Sequence, residues 1–200
     1  MKATTLSNRK VNGAANDERS TPQWAFERIE KAIFKYVNEA RYAVTEEGRA
    51  EVDNLPMAYP PKFTFDVCAT EWNTKCVHYY SLKKNGLVKP WKGYVWCNPP
   101  YSDPVPWLKR AVESTARGVT RETVVTMLLR GDVGTVWYHE YSQQAHHHIA
   151  IRPRIQFDKQ SGGREASNPF PSIVLVFDSV INNSLKSHKT HYHNLNIKSV

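Results

Sequence analysis

The chain has 200 residues, 40% of them apolar, which suits one domain built on a single substantial core. Lys and Arg number 27 against 19 Asp and Glu, a net charge of +8, and this balance favours an anionic partner without identifying it. No apolar run is long enough to cross a bilayer and the stretch before Thr21 is polar, so the expectation is a soluble, cytosolic protein, neither membrane-spanning nor secreted.

Residues 1–19 have no apolar period and are expected to form a flexible tail. Thr21-Pro22 reads as a helix start, a hydroxyl cap followed by proline at the first helical position. Phe26, Ile29, Ile33, Tyr36 and Val37 then recur at helical spacing. Residues 38–62 mix charges with Gly48, Pro56, Pro60 and Pro61 and read as a linker or small helical insertion. Strands are expected at 63–67, 76–80 and 93–97; the gap between the first two is shorter than a parallel crossover normally needs, so its helix is reduced to about a turn. A helix over 103–117 starts at Asp103-Pro104 and presents Trp107, Leu108, Ala111 and Val112 on one face. A strand at 123–129, a helix around 135–144 and strands at 147–151, 154–157 and 172–177 follow. The last two are read as a hairpin bridged by a polar loop containing Gly162-Gly163. Residues 181–200 are expected to form a second flexible tail, which leaves 20–180 as the domain. The alternation predicts an α/β, Rossmann-like sheet with flanking helices and a C-terminal antiparallel hairpin.

The densest chemical signal is Asn98-Pro99-Pro100-Tyr101, at the carboxyl end of an expected buried strand, where open α/β sheets place their ligands. Asn98 offers an amide oxygen, and Pro99 a carbonyl without a backbone N–H beside it. Two adjacent acceptors suit a planar NH₂ substrate, because accepting both protons draws the nitrogen lone pair out of conjugation. Tyr101 adds a flat face for a planar ring. Taken alone, the segment reads equally well as a Pro-Pro turn with a core tyrosine.

Its neighbours decide between the two. Thr21-Pro22-Gln23-Trp24, Phe65-Asp66-Val67-Cys68-Ala69-Thr70, Asn85-Gly86-Leu87, Trp91-Lys92-Gly93 and the tetrad stand in one order, followed by Met127-Leu128-Leu129, Arg154-Ile155-Gln156-Phe157 and Pro169-Phe170-Pro171-Ser172. Over about residues 20–178 the chain resembles the phage-type DNA N6-adenine methyltransferases, the Dam-like enzymes. The resemblance implies S-adenosyl-L-methionine as methyl donor, double-stranded DNA as partner, and an adenine extruded from the duplex onto Tyr101. It further implies a polar cofactor contact from Asp66, close approach at Ala69 and Thr70, and Thr21 and Pro22 against the methionine portion. Asn85 stands where relatives more often carry Asp, and would accept from the cofactor's adenine amine without the charge. The glycine-rich turn common in methyltransferases is absent after the first strand, as it is in this family.

Arg130, Arg152, Arg154, Lys159 and Arg164 are candidate phosphate contacts, each equally readable as a solvated surface cation. Trp96 and Trp107 are expected in the core. Cys68, Cys76 and Cys97 lack the paired spacing of zinc sites and are expected as reduced thiols without a chemical role. His146, His147 and His148 are consecutive, so alternation sends their rings to opposite faces and no metal site is expected. Two rival readings stay open. An RNA or protein-glutamine methyltransferase also presents a planar NH₂ substrate, whereas an inactive DNA-binding relative would fail to bind the donor.

Overall fold

The computed structural model describes residues 19–45, 62–120, 122–164, 168–184 and 190–197. In chain order its elements are α1 (Gln23–Thr45), β1 (Phe65–Asp66), β2 (His78–Tyr79), β3 (Gly93–Cys97), α2 (Val105–Thr115), β4 (Thr123–Arg130), α3 (Val136–Tyr141), β5 (His147–Arg152), β6 (Ser172–Asp178), α4 (Ser179–Asn183) and β7 (His191–Asn196). Short 3-10 turns at Leu82–Lys84 and Gly86–Val88 fill the connection from β2 to β3.

The strands make one seven-stranded sheet in the order β2-β1-β3-β4-β6-β5-β7. β2, β1, β3 and β4 are mutually parallel, β6 runs antiparallel between β4 and β5, and β7 pairs parallel with β5 at the far edge. From β1 the chain goes to β2 on one side and then to β3 on the other. That reversal opens a crevice between the carboxyl ends of β1 and β3, the switch point at which such sheets bind ligands.

Strand alternation divides the core into two layers. Tyr94 and Trp96 of β3, Val124 and Leu128 of β4, and Val174 and Val176 of β6 face α1, which contributes Phe26, Ile29, Ile33 and Val37 at helical spacing. Val95, Cys97, Val125, Met127, Leu129, Leu175 and Phe177 face the other way, onto Leu108 and Ala111 of α2 and Tyr141 of α3. Phe26 meets Trp96 edge-on with ring centroids 5.1 Å apart, which locks α1 over β3. The far end of α1 is tied down electrostatically. Arg41 donates through Nε and Nη2 to the two carboxylate oxygens of fully buried Asp178, at 2.7 and 2.9 Å. Asp178 also accepts from the Val180 amide and so caps α4.

Several expectations change. The first helix does not end near residue 37 but continues to Thr45, because Ala40 still packs and Arg41 reaches Asp178. The rest of the expected insertion, 46–61, lies outside the described residues, as does the tail except for Arg19. The connection from β1 to β2 does hold only a turn, at 71–73, as its length requires. Residues 154–157 are not a strand although Ile155 and Phe157 are fully buried. Pro153 supplies no N–H to extend β5, and the segment leaves the sheet to form a bridge between Asp158 and Ser20. The strand beside β6 is therefore β5, in the register His147↔Val176 to Ile151↔Ser172. Beyond β5, where a flexible tail was expected, His191–Asn196 form β7. Their amides have a free strand edge to pair with, and Ile197 is fully buried at the end.

β7 is attached by rings as well as by backbone. His147 Nδ1 lies 3.0 Å from His193 Nε2, His193 stacks on Tyr36 at 3.8 Å, and His147 stacks on His191 at 5.4 Å. The next ring, His148, turns to the opposite face against Tyr138 and the Ser142 carbonyl, as alternation requires. Among the described residues no three His, Cys, Asp or Glu side chains cluster as metal ligands, and no helix is long and apolar enough to cross a membrane.

Two outcomes are expected. Arg41→Met strands a buried carboxylate and should lower unfolding free energy by about 3–5 kcal/mol in a urea melt. Burial holds His147 down to about 3, with the neighbouring His193, His191 and His146 adding to the effect; burial also lowers His148 and His193, while Glu39 opposes it at His193. The unfolded chain takes up protons on these rings near pH 6.5 and the folded chain does not, so stability is full above that pH and falls as pH drops toward the folded values. Moving from about pH 7.5 to about pH 5 should accelerate hydrogen exchange of the β7 amides relative to those of β4.

Candidate active site

β3 delivers the chain to the crevice. Cys97 is fully buried beneath α2, and the next residue, Asn98, turns out of the sheet with its side chain part-buried. Its Nδ2 donates to the Arg19 carbonyl at 3.3 Å and to Thr21 Oγ1 at 3.4 Å. A carbonyl only accepts, so this contact sets which end of the amide faces it. Oδ1 is thereby turned the other way, buried and without a hydrogen-bond partner among the described residues. An acceptor left in that condition costs about 1–3 kcal/mol, which a donor on a ligand would return.

A cavity of about 160 Å³ opens at this point, lined by Arg19, Ala69, Thr70 and Asn73 on the β1 side, by Tyr80, Ser81, Leu82, Asn85 and Gly86 after β2, and by Asn98, Pro100 and Trp107. Gly86 is required by space. A Cβ there would collide with the Val67 carbonyl oxygen, and its own carbonyl accepts from Trp91 Nε1 at 2.8 Å. Asn85 has the left-handed backbone, φ 47°, which asparagine tolerates better than most residues, and its Oδ1 accepts from the Leu87 amide. A second, smaller cavity of about 90 Å³ lies beyond the tetrad, bounded by Tyr101, Pro104, Arg130, Asp132, Thr135 and Trp137. Tyr101 is flanked edge-on by buried Phe157, ring centroids 5.9 Å apart. Both cavities thus touch the tetrad, one at Asn98 and Pro100, the other at Tyr101.

Of the residues singled out for cofactor contact, Ala69, Thr70 and Asn85 line the first cavity. Thr21 does not line it and acts one step removed, by holding Asn98; Pro22 accepts the first α1 amides through its carbonyl. Asp66 is 2% exposed and off the cavity wall. Its oxygens accept from the Cys68 and Lys75 amides, so it braces the β1–β2 connection. Burial pushes its carboxyl up to about 7, against those two amides and the Lys75 charge. Trp96 is core as expected, but Trp107 reaches the cavity. Arg19, Asn73 and Trp107 were not legible as site residues: the first stands in a polar stretch, the second in a short turn, the third on an amphipathic helix. The three cysteines are free, and burial raises each thiol, which keeps them protonated and poor nucleophiles.

The candidate phosphate contacts separate into two groups. Arg130 lies over the Phe170 ring, 3.2 Å from its centroid, and pairs with Asp132 at 3.2 Å. Arg152, Arg154, Lys159 and Arg164 are exposed on the end of β5 and the loop after it, which runs past Tyr101 through Phe157; Arg164 sits 3.8 Å from Asp158.

A mostly parallel sheet, helices on both faces, and two cavities meeting at the tetrad make an α/β protein compatible with a methyltransferase fold. The sequence profile described as DNA N-6-adenine-methyltransferase (Dam) matches residues 50–197, and the chain belongs to that family. A protein of Haemophilus phage HP1 named DNA N-6-adenine-methyltransferase is 34% identical over 143 residues, 70% of this chain and 81% of the relative. Another of the same name, from Escherichia phage T1, is 34% identical over 99 residues, 48% of this chain and 40% of the relative. No solved structure matches.

Gly86→Ala is expected to force the turn away from Val67 and Trp107, at about 1–3 kcal/mol, with a change in tryptophan fluorescence from Trp91 and Trp107 that near-native far-ultraviolet dichroism would localise to the cavity wall.

Proposed function

We propose that the chain transfers a methyl group to the exocyclic N6 of adenine in double-stranded DNA, with the base extruded from the duplex. The observation that carries this reading is the Asn98 amide, whose NH₂ is committed to Arg19 and Thr21 and whose buried Oδ1 awaits a donor. An adenine amine is such a donor. The larger cavity suits the bulkier ligand, the methyl donor, and the smaller one, beside Tyr101, suits the base.

The lining fits S-adenosyl-L-methionine: apolar walls at Leu82 and Trp107 for a flat ring, polar groups at Asn73, Ser81 and Asn85, and Ala69 and Gly86 for close backbone approach. When bound, it supplies a methyl group on a positively charged sulfur. The chain's own residues position the amine. Asn98 Oδ1 accepts one N6 proton and the Pro99 carbonyl the other, which turns the nitrogen lone pair out of conjugation. Tyr101 stacks on the adenine ring and holds its plane. No cysteine or carboxylate attacks the base; orientation and the two acceptors lower the barrier. Arg152, Arg154, Lys159 and Arg164 hold backbone phosphates beside the opening, where each contact strengthens as salt falls.

The test is transfer of labelled methyl from S-adenosyl-L-methionine to unmethylated duplex DNA, with nucleoside analysis of the product. N6-methyladenine is expected, and Asn98→Ala should lower kcat by about 10²–10³-fold, the cost typical of removing one preorganised polar contact. Donor binding with transfer only to RNA or to a glutamine side chain would overturn the DNA assignment.

A further inference from the structure

Three exposed valines adjoin wall residues of the second cavity: Val105 follows Pro104, Val133 stands between Asp132 and Thr135, and Val136 precedes Trp137. Val133, 57% exposed, occupies a turn whose form is fixed. The Asp132 amide donates to the Arg130 carbonyl at 2.9 Å, and Thr135 returns to the Asp132 carbonyl through its amide at 3.3 Å and its hydroxyl at 2.8 Å. The stem is tied to the segment before β6. The Gly131 amide donates to the Pro171 carbonyl at 2.8 Å, and a Cβ at Gly131 would press on Pro171 and Ile173. Arg130, pinned between the Phe170 ring and Asp132, holds the same stem. The turn therefore presents a branched apolar side chain to solvent on a braced backbone.

Strand register sets this turn among cations. Arg130 and Ile151 both pair with Ser172, so Arg152 ends β5 at the level at which Arg130 ends β4. The exposed cations Arg152 and Arg154 thus lie at the end of the sheet that carries the Val133 turn, and a polyanion held by them passes beside it. Extrusion of a base leaves a hole in the duplex, which the neighbouring bases close unless another group fills it. Apolar side chains inserted at base steps do this in proteins that distort DNA. Valine on a braced turn suits the task, since its one side-chain torsion is stiff and little freedom is lost on insertion. We propose that Val133 enters the duplex beside the target base pair, occupies the space the adenine vacates, and so holds the base in the second cavity. This rests on the reading of the second cavity as the base site.

The experiment uses the full chain and a duplex carrying a site that the wild type methylates, either fully paired or with an abasic residue opposite the target adenine. Val133→Ala should lower kcat/KM on the paired duplex by about tenfold or more, because the unfilled hole favours return of the base to its partner. On the abasic duplex, whose target has no partner to leave, the variant should match the wild type. Val133→Ile, which keeps a branched apolar side chain, should match the wild type on both, and so should Val136→Ala, at an exposed valine that begins α3. With 2-aminopurine in place of the target, the rise in its fluorescence on binding, which reports unstacking without turnover, should be smaller for Val133→Ala. Equal losses on the two duplexes, no loss on the paired one, or the same selective loss in Val136→Ala would each overturn the assignment to Val133. A wild type that binds S-adenosyl-L-methionine but methylates no DNA would instead overturn the reading on which it rests.

Discussion

β3 is buried on both faces and hydrogen-bonded on both edges, which leaves its register a single solution. Tyr94 and Trp96 fill the layer under α1, and Val95 and Cys97 the layer under α2; a slip of one residue would exchange a tryptophan for a cysteine beneath each helix. The strand's neighbours are fixed in turn by pairing with it, β1 through Phe65 and Asp66 and β4 through all five of its residues. The direction in which Asn98 leaves the sheet is therefore set by core packing far larger in energy than any contact Asn98 makes itself. Preorganisation of the site is a property of the strand before it is one of the tetrad.

What the tetrad then requires from its surroundings is modest and specific. The Asn98 amide needs two acceptors on one side and none on the other, and the chain supplies the acceptors from residues 19 and 21, outside the sheet altogether. Among the described residues, the thiols are protonated by burial, Asp66 accepts from backbone amides off the cavity wall, and Asp132, on the wall of the second cavity, is paired with Arg130. The arrangement favours positioning over proton transfer.

Elements with long apolar runs were legible in the sequence. β3 and β4 match their expected positions to within a residue, and α2 and α3 lie within their expected windows, because burial on two faces writes itself into composition. The tetrad was legible because residue type and position at a strand end coincide. β7 was not, since His-Tyr-His-Asn-Leu-Asn has the composition of a solvated tail and gains its order from the vacant edge of β5 and from ring stacking. Ile155 and Phe157 alternate like a strand and are buried like one, yet make no ladder, because alternation reports burial and not hydrogen bonding. Asp66 shows the converse limit: a polar residue at a strand end in a family motif reads as ligand contact, and only the fold shows that it lies off the cavity wall with its oxygens accepting from the Cys68 and Lys75 amides.

The two borders of the sheet differ from its centre. β2 is two residues long, and β7, six residues long, presents His, Tyr and Asn with one partly buried leucine. Neither border offers an incoming strand both a long row of open backbone groups and an apolar side to settle on, the combination by which sheets join edge to edge into fibres. The hydrophobic length of this protein is concentrated in β4 and β6, which are interior on both sides. Among the described residues, the segments with the greatest capacity for runaway strand pairing are thus the ones least able to reach another molecule while the fold is intact.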